Sequence, residues 1–305
     1  MNKRKFLSPA LLLSAAMIWG FAFAAQDAAQ EVGAFTLGFM RSVLAAIFLI
    51  FAVIISDRVT KSQRRLISRR GIDLTRSEII GGAICGTVLA IASAFQQIGI
   101  NAGTDGGKAA FITALYVVLV PVYALALKKR APLNVWIGVA ISVIGFYLLC
   151  IKDNLTVSTS DLLVMASAMI FPIHILTIDH FSPKCDGIRM SLMQFLTASL
   201  INLIVALIAE GGLDVSNASR SILPILYLGI ASSGIAYTLQ ILGQRGANPA
   251  AATIILSLES VFGIIGTALF LGKLLSVREY IGCAVVMAAV IIAQLDVKQN
   301  KKSSE

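Results

Sequence analysis

The chain has 305 residues, of which 57% are hydrophobic and only 13% charged, and its mean hydropathy is +0.86. Soluble domains carry about a quarter charged residues, so this composition leaves too little polar surface to cover a soluble core and argues against a soluble enzyme. The formal charge of +9 comes from short basic clusters between apolar runs rather than one continuous face, which argues against nucleic acid as a partner and suits the orientation of membrane helices.

In chain order, Asn2–Lys5 is basic, an apolar stretch follows, and Ala22–Ala25 resembles a small-residue cleavage site. The apolar run Phe6–Gln26 is longer than the apolar part of a secretory signal, and many more such runs follow, so it reads as an uncleaved first helix. Crossing a bilayer core takes about 20 apolar residues. Runs of that order lie at Leu7–Ala25, Gly33–Ser56, Ser77–Gly99, Gly106–Leu127 and Pro132–Ile151. Five more lie at Ser160–Ile178, Ile188–Ala209, Ser221–Ile241, Pro249–Leu271 and Ser276–Gln294. The expected fold is therefore an all-α membrane protein of ten transmembrane helices. Gly, Pro, Asn and Asp mark the short polar connections, and the longest connection is Asp57–Arg76.

With the amino terminus inside, 19 of the 25 Lys and Arg fall on one side of the membrane and 4 on the other, while Arg41 and Lys108 lie within runs. That bias expects both termini in the cytoplasm and an even number of helices. The seven basic residues of Arg58–Arg76 read as a topology determinant, with anionic lipid as the alternative partner. Cys85, Cys150, Cys185 and Cys283 are too far apart for a zinc or disulfide framework and read as packing residues.

An internal repeat underlies the pattern. A shift of 144 places Ile137-Gly138 on Ile281-Gly282, Lys129 on Lys273 and the turn Gly103–Asp105 on Ala247–Pro249. A shift of about 152 places Ala16–Trp19 on Ala168–Phe171. The expected units are residues 1–152, residues 153–296 and a cytoplasmic tail, 297–305. Five runs per unit is an odd number, so the second unit is expected to be inverted relative to the first. Inverted repeats suit alternating access to a site near the bilayer midplane.

Several of these residues carry a family resemblance. Gln96-Gln97-Ile98-Gly99, Gly106–Thr113 and Val120-Pro121 occur in order, after Ile18-Trp19-Gly20. The second unit has Ala236-Tyr237, Gln240, Gln244 and Leu256–Glu259. Over nearly its whole length the chain resembles the EamA-type branch of the drug/metabolite transporter superfamily. The resemblance implies a ten-helix, proton-linked or gradient-driven carrier, often an exporter of amino acids or other metabolites. Two positions depart from the family pattern. Glu259 precedes Ser260 where the family commonly has Glu-Pro, and Gly272 precedes Lys273 where it commonly has Gly-Glu.

An ionisable group in hydrocarbon costs several kcal/mol and asks for a reason. Glu259, deep in the ninth run, is a candidate to bind a substrate amine or exchange a proton, or else a structural carboxylate. Arg41 is a candidate for a substrate carboxylate, for pairing with Glu259 or helix-end carbonyls, or for reaching the outer surface. Lys108 opens the fourth run and reads as snorkelling, although the resemblance makes a Gly-Lys here family-like. His174 suits either proton coupling or a satisfied core position. Trp19, Gln96, Gln97, Tyr116, Gln194, Tyr237 and Gln240 should face the bundle interior, where they line a substrate pathway or hold helices together. Pro121 and Pro172 lie inside runs and are expected to kink them.

There is no phosphate-binding loop, no metal-ligand spacing and no catalytic arrangement, so no cofactor is expected beyond a proton as coupling ion. The expected activity is secondary export of amino acids, related metabolites or drugs across a bacterial inner membrane, by a monomer or homodimer. An uncoupled, channel-like uniporter is the alternative, followed by a membrane scaffold or enzyme subunit. The expected partners are a small-molecule substrate and membrane lipid.

Overall fold

The computed structural model describes residues 3–63, 74–129, 131–150, 157–271 and 276–294. Among these residues every regular element is helical. The first unit contains α1 (Lys3–Ala28), α2 (Ala34–Gln63), α3 (Arg76–Asn101), α4 (Gly106–Ala114), α5 (Tyr116–Ala126) and α6 (Leu133–Cys150). The second contains α7 (Thr159–Phe181), α8 (Gly187–Ala209), the short α9 (Val215–Arg220) and α10 (Ile222–Leu226), and a π-helical stretch, Tyr227–Ala236. It continues with α11 (Tyr237–Gln244), α12 (Pro249–Leu256), α13 (Glu259–Leu271) and α14 (Val277–Gln294).

Local sequence sets most helix starts. Thr75 with Glu78 and Ser158 with Asp161 form reciprocal capping boxes, while Asp105, Asp186 and Asn248 accept from backbone N–H groups of the turn that follows them. Each satisfies donors that hydrocarbon would leave unpaired. The helices depart from the apolar runs in four places. The fourth and ninth runs are each two helices, and the eighth includes the π-helical turns. Also, α2 continues past Ser56 to Gln63, because no Gly or Pro interrupts Asp57–Gln63. The remainder of the basic connection, 64–73, lies outside the described residues, as do Lys152, Asp153, Gly272, Lys273 and the tail 297–305.

Eight stretches of the described residues are long and apolar enough to cross a membrane, with α4 and α5 together forming one of them. Leu133–Leu148 of α6 and Tyr280–Ala293 of α14 are shorter apolar helices. Large aliphatic and aromatic side chains cover the outside of the bundle: Phe51, Leu133, Leu200 and Leu223 are exposed, and Ile208 is 79% exposed. Such a surface suits lipid, not water. The chain is a multi-pass membrane protein.

Inside, contacts repeat when the two units are exchanged. Helix α1 packs on α12 and α13, and α7 packs on α4 and α5. Helix α3 packs on α7 and α8, while the π-helical stretch packs on α1 and α2. Two pairs, α2 with α8 and α6 with α14, are exchanged with themselves. Small residues permit this closeness, since nothing drives helices together in lipid except packing and polar contacts. At Gly86 of α3 a Cβ would lie 2.3 Å from the Gln194 carbonyl oxygen of α8, so any larger residue would part the two units.

Polar contacts join the units at both ends of the bundle. At the end where α1 begins, Arg189 pairs with Asp57 at 2.7 Å and Lys129 pairs with Asp179. At the opposite, distal end, Lys108 pairs with Asp161 at 2.6 Å. There Glu210 also caps the start of α2, accepting from Phe35 N at 2.8 Å, Thr36 N at 3.0 Å and Thr36 Oγ1 at 2.7 Å.

Candidate functional site

The interruptions of α4–α5 and α12–α13 fall at matching depth. Under the 144-residue shift Leu115, the joint between α4 and α5, corresponds to Glu259, the first residue of α13. At both joints backbone bonds tighten to the three-residue spacing: Leu115 N to Ile112 O at 3.2 Å, and Leu258 N to Ile255 O at 3.1 Å. Pro121 sits nearly two turns beyond the first joint and lacks an N–H. The second joint forms without proline, and Ser260 Oγ donates across to the Ala110 carbonyl of the first unit at 3.3 Å. Tyr116 and Glu259 thus each stand at the start of a half-helix. The backbone N–H groups around both joints stay paired within the chain, as with Val118 N to Leu115 O at 3.0 Å and Ser260 N to Ser257 O at 3.2 Å.

Between the two joints lies a cavity with an empty volume of about 560 Å³. Its floor and walls come from both units: Trp19, Phe23 and Gln26 of α1, Arg41 of α2, Gln96 of α3, Thr113 and Tyr116. Phe171 and His174 of α7, Ser232, Tyr237, Gln240 and Glu259 complete the wall. Three aromatic rings and His174 form a continuous edge-packed group around Tyr237, with centroid separations of 4.6 Å to Trp19, 5.7 Å to His174 and 5.6 Å to Phe195. Edge-to-face packing at these separations is the favoured arrangement.

The polar lining divides into satisfied and unsatisfied groups. Gln26 Nε2 donates to Gln96 Oε1 at 3.0 Å, and Gln96 Nε2 to Thr113 Oγ1 at 2.8 Å, linking α1, α3 and α4. His174 Nε2 donates to Gln194 Oε1 at 3.0 Å, since an amide oxygen can only accept. Trp19 Nε1 donates to the Ser232 carbonyl at 3.2 Å. By contrast, Tyr116 Oη, Gln240 Oε1 and Glu259 Oε1 are buried with no hydrogen-bond partner. The Tyr116 hydroxyl and the Glu259 carboxyl are close neighbours that interact electrostatically. Buried polar atoms are nearly always paired, and three unpaired ones around one cavity mark a place where something else supplies the partner.

The sequence profile of the EamA-like transporter family matches this chain twice, over residues 7–151 and 158–294. The chain belongs to the EamA-like transporter family. An uncharacterized transporter of Archaeoglobus fulgidus is 28% identical over 204 residues, which are 67% of this chain and 65% of the relative. The match thus spans slightly less than two thirds of that relative's length. A solved crystal structure superposes with a TM-score of 0.76 over 97% of this chain and 99% of its own, at 14% identity. That likeness concerns the fold alone.

In this member of the EamA-like family the residues picked out from sequence separate by location. Trp19, Arg41, Gln96, Tyr116, His174, Tyr237, Gln240 and Glu259 line the cavity together. Gln97, Gln194 and Lys108 do not. Gln97 turns to the distal end, donating to Asn101 Oδ1 at 2.7 Å and to the Gln26 carbonyl at 3.4 Å. Gln194 stands behind His174 and holds it. Lys108 makes the distal ion pair with Asp161 instead of only snorkelling. Arg41 does not pair with Glu259: its Nε donates to Ser233 Oγ at 3.0 Å and its NH2 to Ser232 Oγ at 3.2 Å.

Sequence reading passed over Gln26, Thr113, Ser232 and Asp161. Gln26 and Thr113 have the same signal as Gln96, an amide or hydroxyl inside an apolar run. Asp161 is signalled by the capping-box spacing from Ser158.

Proposed function

We propose that this protein is a secondary transporter that moves small organic solutes by alternating access about the central cavity, most simply as an exporter of amino acids or related metabolites and drugs. The observation that carries the reading is the trio of unpartnered atoms, Tyr116 Oη, Gln240 Oε1 and Glu259 Oε1, around a cavity at two pseudo-equivalent helix interruptions. Interrupted helices with half-helix starts at the midplane are how many carriers build their sites.

In this reading α6 and α14 complete ten membrane spans, arranged as two inverted five-helix units. Its bundle end with Lys129, Arg189 and both termini faces the cytoplasm of a bacterial cell, consistent with the bias of Lys and Arg. The symmetric exchange of contacts between units supports two states of similar energy, one open to each side. Glu259 is the group proposed to couple transport to protons. Counterflow of labelled solute in liposomes, with and without a pH gradient, tests both parts. Exchange that a pH gradient drives supports coupled transport, exchange indifferent to the gradient supports an uncoupled uniporter, and absence of exchange for every solute class overturns the transporter mechanism.

A further inference from the structure

A second, smaller cavity, with an empty volume of about 250 Å³, adjoins the first. It lies among α2, α3 and α8, between Ser42, Leu89, Phe195, Ala198 and Asn202. The two cavities share Arg41, Ser93 and Tyr237, so the Tyr237 ring and the Arg41 side chain are the partition between them. At 250 Å³ the smaller one is below the range of a complete organic-solute site. It has room for no more than one small functional group.

Its electrostatics are one-sided. The central cavity holds one cation, Arg41, and one carboxylate, Glu259, whereas the smaller cavity's lining includes Arg41 and no carboxylate. Arg41 makes no ion pair among the described residues, and its two hydrogen bonds go to neutral serine hydroxyls. A guanidinium has five N–H donors, so donors remain beyond those two bonds. An arginine at this depth is expensive unless a partner offsets its charge, and the partner best matched to its planar fork is a carboxylate. Ser42 Oγ donates to the Gly38 carbonyl at 2.7 Å and Ser93 Oγ to the Leu89 carbonyl, so neither hydroxyl has a proton left for a bound anion and Arg41 is the donor there.

We propose that the smaller cavity is a carboxylate pocket belonging to the transport site. The solute's carboxylate passes Tyr237 and rests on Arg41 between α2, α3 and α8, while its apolar body and any amine stay in the central cavity with the aromatic rings and Glu259. This rests on the reading of the central cavity as the transport site and narrows its substrates to organic acids and zwitterions. Amines lacking a carboxylate are excluded as good substrates.

The test uses the full-length chain, purified and reconstituted, with two matched sets: phenylalanine, 2-phenylethylamine and 3-phenylpropanoate, then leucine, 3-methylbutylamine and 4-methylpentanoate. Thermal stabilisation in detergent reads binding, and counterflow in liposomes reads transport. The carboxylate-bearing members are expected to bind at least about tenfold more tightly than the amines, as expected when a charged hydrogen-bonding partner is lost. Arg41→Gln should erase that preference and Arg41→Lys restore part of it. Ala198→Leu, which fills only the smaller cavity, should weaken the carboxylate members and spare the amines.

Chloride at equal ionic strength separates a carboxylate pocket from a site for any small anion, and stabilisation by chloride alone overturns the proposal. It is also overturned if amines bind as well as the acids, if no carboxylate member binds, or if folded Arg41→Gln keeps the preference. Counterflow of amines or neutral solutes only would overturn the carboxylate pocket yet leave the transporter in place. Failure of every solute class to exchange would instead remove the underlying transport reading.

Discussion

Tyr116 and Glu259 each begin the second half of an interrupted helix, one in each repeat, and they meet as neighbours in the wall of the central cavity, with Tyr116 Oη and Glu259 Oε1 lacking a regular hydrogen bond. A buried carboxylate in such a place can meet a solute amine or take up a proton. Glu259→Gln keeps the shape and removes the charge. It is expected to lower the counterflow rate at least about tenfold, the loss that follows from one charged contact, and to flatten its dependence on pH. Tyr116→Phe should cost less and leave the pH profile in place. A Glu259→Gln protein with wild-type rate and profile would sink the coupling role.

Glu259 is held in position by the meeting of α1 and α13. A Cβ at Gly20 would stand 2.5 Å from Phe262 Cβ and 2.7 Å from the Glu259 carbonyl oxygen. Neither atom can move without shifting the half-helix that positions Glu259. Gly20→Ala is therefore expected to lower stability by about 1–3 kcal/mol, the range for overpacking a close contact, seen as a reduced Tm. At Gly263 the nearest atom to an added Cβ is the Gly20 carbonyl oxygen at 3.3 Å, so Gly263→Ala should be milder. Equal losses at the two sites would contradict this packing account.

Much of the site was legible because lipid makes polar residues conspicuous: an amide or charge inside an apolar run must face the interior. Which interior face it takes was not. Gln96 and Gln97 are neighbours about 100° apart on one helix, and only packing decides that Gln96 meets Gln26 and Thr113 while Gln97 meets Asn101. The helix interruptions were hidden for a different reason. Hydropathy sums side chains, and Gly106–Leu127 and Pro249–Leu271 are continuous by that measure. Pro121 hinted at the first joint; the second has no proline. The π-helical turns at Tyr227–Ala236 likewise depend on tertiary contacts with Trp19 and Arg41 rather than on composition.

At the end where α1 begins, Arg189 and Asp57 are both largely buried, with side chains 6% and 12% exposed. Removing Asp57 takes away the closer carboxylate of Arg189, with Asp186 remaining at 3.8 Å, and breaking a buried pair costs up to about 3–5 kcal/mol, whereas replacing both partners with apolar residues of similar size is often neutral. Asp57→Leu alone should therefore lower Tm substantially, and Asp57→Leu with Arg189→Met should recover most of the loss. Additive losses in the double variant would mean that the two residues act separately.

The distal pair behaves differently because Lys108 is 39% exposed while Asp161 is 2% exposed. Solvent screening limits what the lysine contributes to about 0–1 kcal/mol, so Lys108→Ala should barely change Tm. Asp161 also accepts from Ser158 N at 2.7 Å and from Thr104 Oγ1 at 3.1 Å, so Asp161→Ala should cost about 1–3 kcal/mol. The same pair tests orientation. In the proposed topology Lys108→Cys faces outward and Lys184→Cys faces the cytoplasm. A membrane-impermeant maleimide added to intact cells should label the first and spare the second, after correction for wild-type labelling. Opening of the distal end should also speed labelling at residue 108, so Asp161→Ala is expected to increase its rate. Labelling of Lys184→Cys from outside in intact cells would invert the whole assignment of faces.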